Sequence, residues 1–186
     1  MDIENHIFKD LKFLKSPNFN ERPNDKEISL VIIHSISLPP KSYGNNYVED
    51  FFLNKLCIDD HSYFKDIQNL KVSSHLYIKR DGELIQFVPF DKRAWHAGKS
   101  TYKGIDDCNN FSIGIELEGS DDDCYSDEQY KMLTMAVQKI IDHYPLIDKH
   151  SIAGHSDVSP LRKTDPGKKF DLSLIHISEP TRQWSI

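Results

Sequence analysis

Between Ser29 and His34 the sequence reads SLVIIH, a run of branched apolar residues with Pro23, Asn24 and Asp25 before it and Pro39-Pro40 after it. A short uninterrupted apolar run bounded by turn formers predicts a buried strand, which requires a sheet around it and cover on its faces. Phe111–Leu117 (FSIGIEL) alternates, with Phe111, Ile113, Ile115 and Leu117 on one side and Ser112, Gly114 and Glu116 on the other. Ser74–Lys79 and Glu83–Val88 flank Arg80-Asp81-Gly82, and Asp-Gly supplies the dihedrals of a tight hairpin turn. Two helices are expected. Tyr47–Leu56 has apolar residues at helical spacing; Ser126–Tyr144 has a capping box from Ser126 and Gln129, a 3.6-residue apolar period and Pro145 as its stop. A last short strand is expected over His150–His155. Strands mixed with a long amphipathic helix predict an α/β or α+β sheet with helices packed against it. With 186 residues, 38% of them hydrophobic, and neither repeats nor linkers, one domain is the expectation.

Composition excludes several partners. The net charge is −6 and no basic block could track a phosphate backbone, so nucleic acid is not expected. No stretch reaches the roughly 18 apolar residues of a membrane span, and the N-terminal segment has acids and lysines where a signal peptide needs its apolar run. The expectation is a soluble cytoplasmic protein without a membrane partner. Cys57, Cys108 and Cys124 make an odd count without C-x-x-C spacing, which fits a reducing compartment.

Nine histidines stand out in this composition. Hydrolytic zinc sites commonly take three ligands from His, Asp, Glu or Cys and leave a position for water. His34 and His155 each end an apolar stretch, and Asp165 follows in the loop Arg162–Gly167 (RKTDPG), so a scaffold could aim all three at one point. Each also has a plainer use: a hydrogen-bonded structural histidine, or an aspartate forming a turn before Pro-Gly. Glu116 is either a solvated carboxylate or, between Ile115 and Leu117, a base of raised pKa. Lys163 is either solvated or an oxyanion stabiliser.

The segments LVIIHSISLPP, VSSHLYIKRDGELIQFVPFDKRAWHAG, CNNFSIGIELEG and RKTDPG, in this order and spacing, resemble the cytoplasmic 1,6-anhydro-N-acetylmuramyl-L-alanine amidases of the AmpD type. These are zinc amidases related to bacteriophage lysozyme-type amidases and peptidoglycan recognition proteins. The similarity runs from about Ser16 to Asp171. It implies a central mixed sheet flanked by helices, one zinc held by His34, His155 and Asp165, and catalytic roles for Glu116 and Lys163. It implies hydrolysis of the amide between anhydro-N-acetylmuramic acid and L-alanine in cell-wall recycling, with an anhydromuropeptide as the partner; a monomer is the expected form. Lys71, His75, Trp95 and His96 are the expected substrate-binding residues; His75 and His96 have orienting a metal ligand as their alternative, and His75 a buried structural role. His6, His61, His143, His150 and His176 are expected at the surface or in packing. A non-catalytic muropeptide receptor of the same fold is the competing function.

Three features depart from the resemblance. Ser35 and Ser156-Asp157 follow the two histidine ligands where Asn and Cys-Asn are usual. Lys71 and Asp107 stand where arginines are expected near an anionic substrate. The final stretch, 172–186, resembles a translated adapter or cloning scar, which leaves residues 1–171 as the amidase domain.

Overall fold

The computed structural model describes residues 1–24 and 27–176. Asp25 of the expected turn and most of the 172–186 tail lie outside them. Six strands form one mixed sheet: β1 (Lys12–Phe13), β2 (Leu30–Ile36), β3 (Leu76–Ile78), β4 (Leu84–Gln86), β5 (Ser112–Glu118) and β6 (Ile152–Gly154), ordered β6-β2-β5-β3-β4-β1. Strands β6, β2, β5 and β3 are mutually parallel, β3 and β4 form the expected antiparallel hairpin, and β1 runs parallel to β4. The hairpin turn uses Gly82 at φ +88°. The helices are α1 (Tyr47–Phe52), α2 (Phe64–Ile67), α3 (Asp127–His143) and the single turns α4 (His155–Val158) and α5 (Ser173–His176).

Alternation along the central strands divides the interior. Val31 and Ile33 of β2, Leu76 and Ile78 of β3, and Ile113, Ile115 and Leu117 of β5 share one cluster with Leu133, Ala136, Val137 and Ile140 of α3. The opposite residues face α1, α2 and the loops, in two further clusters that include Ile32, Phe52, Phe64, Tyr77 and Ala97. That second face also carries His34, Gly114 and Glu116. Helix α3 begins as expected: Ser126 Oγ accepts the Gln129 N–H at 3.1 Å, and the Gln129 side chain accepts the Ser126 N–H.

The structure corrects several boundaries. Strand β2 continues past His34 to Ile36. Helix α1 stops at Phe52 because Asn54 turns to φ 58° and its side chain exchanges hydrogen bonds with Asn18. The strand expected over His150–His155 is only Ile152–Gly154. His155 instead opens α4, whose first turn is capped when the Asp157 carboxylate accepts the Gly154 N–H at 2.7 Å. Short ribbons pairing Ile3–Glu4 with Ile7–Phe8 and Phe19–Glu21 with Lys92–Ala94 carry too few residues to show a period in sequence. At the start of the tail, Ile175 is buried and Leu172 packs on the α3 cluster.

Leu133→Ala removes a fully buried side chain from beneath the sheet. Urea denaturation should show a loss of about 2–5 kcal/mol, whereas Met135→Ala, on the exposed side of the same helix, should change stability by under about 0.5 kcal/mol.

Candidate metal centre and active site

The carboxyl ends of parallel strands are where such sheets open to ligands. Parallel pairing of β5 with β2 sets Glu116 directly opposite His34, and pairing of β6 with β2 sets Gly154 opposite Ile33, so His155 emerges beside His34. Asp165 arrives on the loop after α4. That loop is held where the Ser156 N–H donates to the Asp165 carbonyl at 2.9 Å and the Tyr125 hydroxyl donates to the Pro166 carbonyl at 2.7 Å. Gly167, at φ +84°, lies so near the Asp121 backbone that a Cβ would stand 2.3 Å from its Cα.

The three side chains converge. His34 Nδ1 lies 2.9 Å from His155 Nδ1, and Asp165 Oδ2 lies 3.4 Å from the first and 3.0 Å from the second. The edge of a tetrahedron with bonds of about 2.0–2.1 Å is about 3.3 Å, so this spacing suits a zinc-sized cation. Donor chemistry agrees. His155 Nε2 donates to the Ala97 carbonyl at 3.0 Å, which leaves Nδ1 as the ring's ligand atom, beside the carboxylate and the other imidazole. Burial pushes His34 down to about 4, with the His155 and Lys163 charges adding to the effect and Asp165 opposing it. Burial alone would raise Asp165, but its contacts with His155 and His34 hold it well below the usual carboxylate range. Two imidazoles that each offer Nδ1, with an ionised carboxylate beside them, make a donor set for a divalent metal.

Glu116 completes the floor of a cleft of about 660 Å³, whose walls include Trp95, His96, Lys163, Phe52 and Val72. It is only 9% exposed, not solvated, and its Oε2 is buried without a hydrogen-bond partner among the described residues. Burial raises its pKa well above the ordinary value; the Asp165 charge raises it further and Lys163 opposes both. Lys163 is half-buried at the cleft, on a turn whose N–H donates to the Ser159 carbonyl at 3.0 Å.

Other expected residues divide. Trp95 and His96 line the cleft, and Trp95 Nε1 donates to Asn20 Oδ1 at 2.6 Å. Lys71 is exposed between Leu70 and Val72, which line the cleft, but is not itself part of the wall. His75 does not reach the cleft. It is fully buried, its Nδ1 accepts the Gly114 N–H at 3.0 Å, and its Nε2 donates to the Lys92 carbonyl at 2.9 Å. Burial and the neighbouring Arg22 push it down to about 3, so its place is in the core beneath β5. Asp157 caps α4, and Asp107 opens a turn at φ 57° away from the cleft wall.

Sequence reading passed over the residues that hold this frame. Arg22 donates to the carbonyls of Phe90, Asn109 and Ser112. Arg162 ties the Ala97 and Lys99 carbonyls to the turn after His155. No local pattern marks either residue, since their partners are backbone carbonyls remote in sequence.

Comparison with known proteins gives this geometry its family. Residues 24–168 match the family model described as N-acetylmuramoyl-L-alanine amidase. The 1,6-anhydro-N-acetylmuramyl-L-alanine amidase AmpD of Haemophilus influenzae is 48% identical over 170 residues, covering 91% of this chain and 92% of that protein. A crystal structure of a selenomethionine AmpD derivative superposes with a TM-score of 0.91 at 43% identity, covering 95% of this chain and 98% of the other. The amidase AmiD of Escherichia coli, in complex with the substrate anhydro-N-acetylmuramic acid-L-Ala-D-γ-Glu-L-Lys, superposes with a TM-score of 0.59 at 25% identity, covering 86% of this chain and 66% of AmiD. With the family model matched across most of its length and a relative this similar over nine-tenths of it, the chain belongs to the N-acetylmuramoyl-L-alanine amidase family.

Proposed function

We propose that this protein hydrolyses the amide between the lactyl group of 1,6-anhydro-N-acetylmuramic acid and L-alanine in muropeptides. The reaction would use one zinc ion held by His34, His155 and Asp165 and serve peptidoglycan recycling in the cytoplasm. The observation that carries this reading is the convergence of three metal-suited donors beside a buried carboxylate of raised pKa. The AmpD similarity supplies the substrate class, and three unpaired cysteines fit a reducing compartment.

Zinc, when bound, supplies Lewis acidity that brings the pKa of a water toward 7 and polarises the scissile carbonyl. Glu116 takes the proton of the attacking water and returns it to the departing amine, a task suited to a carboxyl whose pKa burial raises above the ordinary value. The Lys163 ammonium, across the cleft floor, faces the oxyanion as charge develops on it. Trp95 offers an aromatic surface for the sugar face, and its indole is held by Asn20. The complete donor set together with Glu116 favours cutting over mere binding of the muropeptide.

Incubation of the purified protein with anhydro-muramyl-tripeptide should release free peptide. A chelator should abolish the release and zinc should restore it; chelator-insensitive cleavage would sink the zinc mechanism, and tight binding without turnover would identify a receptor.

Glu116→Gln should retain zinc while lowering kcat by about 10²- to 10⁴-fold. Lys163→Ala should cost about 10²- to 10³-fold in kcat.

The same Glu116→Gln substitution should stabilise the metal-free fold. A raised native pKa means that the native state holds more protons than the unfolded chain above the ordinary glutamate range, so wild-type stability falls as pH rises through that interval. Thermal unfolding at pH 7.5 should show a higher melting temperature for Gln. The gain should disappear below about pH 3, where both states of the wild type carry a neutral carboxyl.

A further inference from the structure

Behind His34 lies a chain of hydrogen bonds in which each direction is dictated by the previous one. The Cys108 carbonyl can only accept, and the Ser112 hydroxyl, 2.6 Å away, directs its single proton there. Toward His96 Nε2, at 3.2 Å, Ser112 Oγ is then an acceptor, so that Nε2 carries the proton of the neutral ring. His96 Nδ1 is left as a bare lone pair, 2.9 Å from His34 Nε2. This contact needs Nε2–H on His34, which places the free lone pair of His34 on Nδ1. That is the atom turned toward His155 and Asp165.

The surroundings fix the His96 ring in this one place. Gly114 lies against it, and a Cβ there would stand 2.4 Å from His96 Cγ, so only glycine leaves room. Asn109 Oδ1 accepts the backbone N–H of His96 at 3.2 Å and of Ala97 at 2.8 Å. Ser112 is fully buried on the same strand.

We infer that His96 is a positioning residue: it holds His34 in the Nε2–H tautomer and so keeps the Nδ1 lone pair aimed at the proposed zinc ion, with Ser112 setting the direction of the relay. This role rests on the proposed zinc site and adds to it the outer partner that metal-ligating histidines require. Ala97 does the same for His155 with a backbone carbonyl, which admits no alternative tautomer. His34 relies on a side chain that must itself be oriented, and Ser112 does that.

Nitrogen-15 correlation spectra of the histidine rings in the metal-free chain read the tautomers directly. Nε2–H is expected on His34, and Nδ1–H there would overturn the relay without any substitution. Zinc affinity, measured by competition with a chromophoric chelator, should fall roughly 10- to 100-fold in His96→Leu. It should stay close to the unsubstituted value in His96→Asn, whose Oδ1 supplies an acceptor where Nδ1 stood. Ser112→Ala should leave His96 and His34 in mixed tautomers. A folded His96→Leu chain that binds zinc as tightly as before, with His34 still Nε2–H, overturns the proposal. Should that variant not fold, the spectra of the unsubstituted chain and of Ser112→Ala decide. An unsubstituted chain with Nε2–H on His34 that binds no zinc leaves the relay standing and removes the metal site.

Discussion

Parallel pairing of β2 with β5 is the constraint on which the rest of the site depends. It puts His34 and Glu116 in register on one face, and the pleat sends their apolar neighbours to the other, beneath α3. A slip of one residue would turn both polar side chains into the core and the core residues into the cleft. Helix α3 therefore guards the site without touching it. Its contacts with Ile113, Ile115 and Leu117 select the register that leaves Glu116 at the floor of the cleft.

Burial then sets the chemistry. A carboxylate, two imidazoles and a second carboxyl share a space where water is scarce, and the outcome differs by group. Burial favours the uncharged form of His34 and of Glu116, whereas contacts with His155 and His34 hold Asp165 ionised. Such a cluster opposes folding by itself, since several ionisable groups are held away from solvent and crowded about one point. A cation at the centre would relieve this opposition, which ties metal affinity to fold stability in one set of atoms. Outer partners carry the remaining order: backbone carbonyls for His155, the His96–Ser112 pair for His34, and Tyr125 for the Asp165 loop.

Local patterns were legible where one element's own residues decided the matter. The SLVIIH run, the alternation in FSIGIEL, the Asp-Gly turn and the Ser126 capping box all act within a few residues of themselves, and each formed. His155 was misplaced at the end of a strand because Asp157, which bends the chain into α4, looks in sequence like any loop aspartate. His75 carries the same residue type as His34 yet lies beneath β5, tied to Gly114 and Lys92. Nothing within a local window distinguishes the two. The resemblance of four motifs taken together singled out His34, His155 and Asp165, which single-residue arguments left open and which the structure brings together.

By itself, then, the sequence determined the strands, the long helix and the residue types able to hold a metal, because propensity, periodicity and turn chemistry are local. The tertiary structure alone decided which nitrogen of each histidine faces the centre, how deeply Glu116 is buried, and which of the neighbouring histidines reaches the cleft. Those properties depend on hydrogen-bond partners brought from positions such as Ala97, Cys108 and Ser112, distant in sequence from the groups they orient. Only the assembled sheet makes them neighbours.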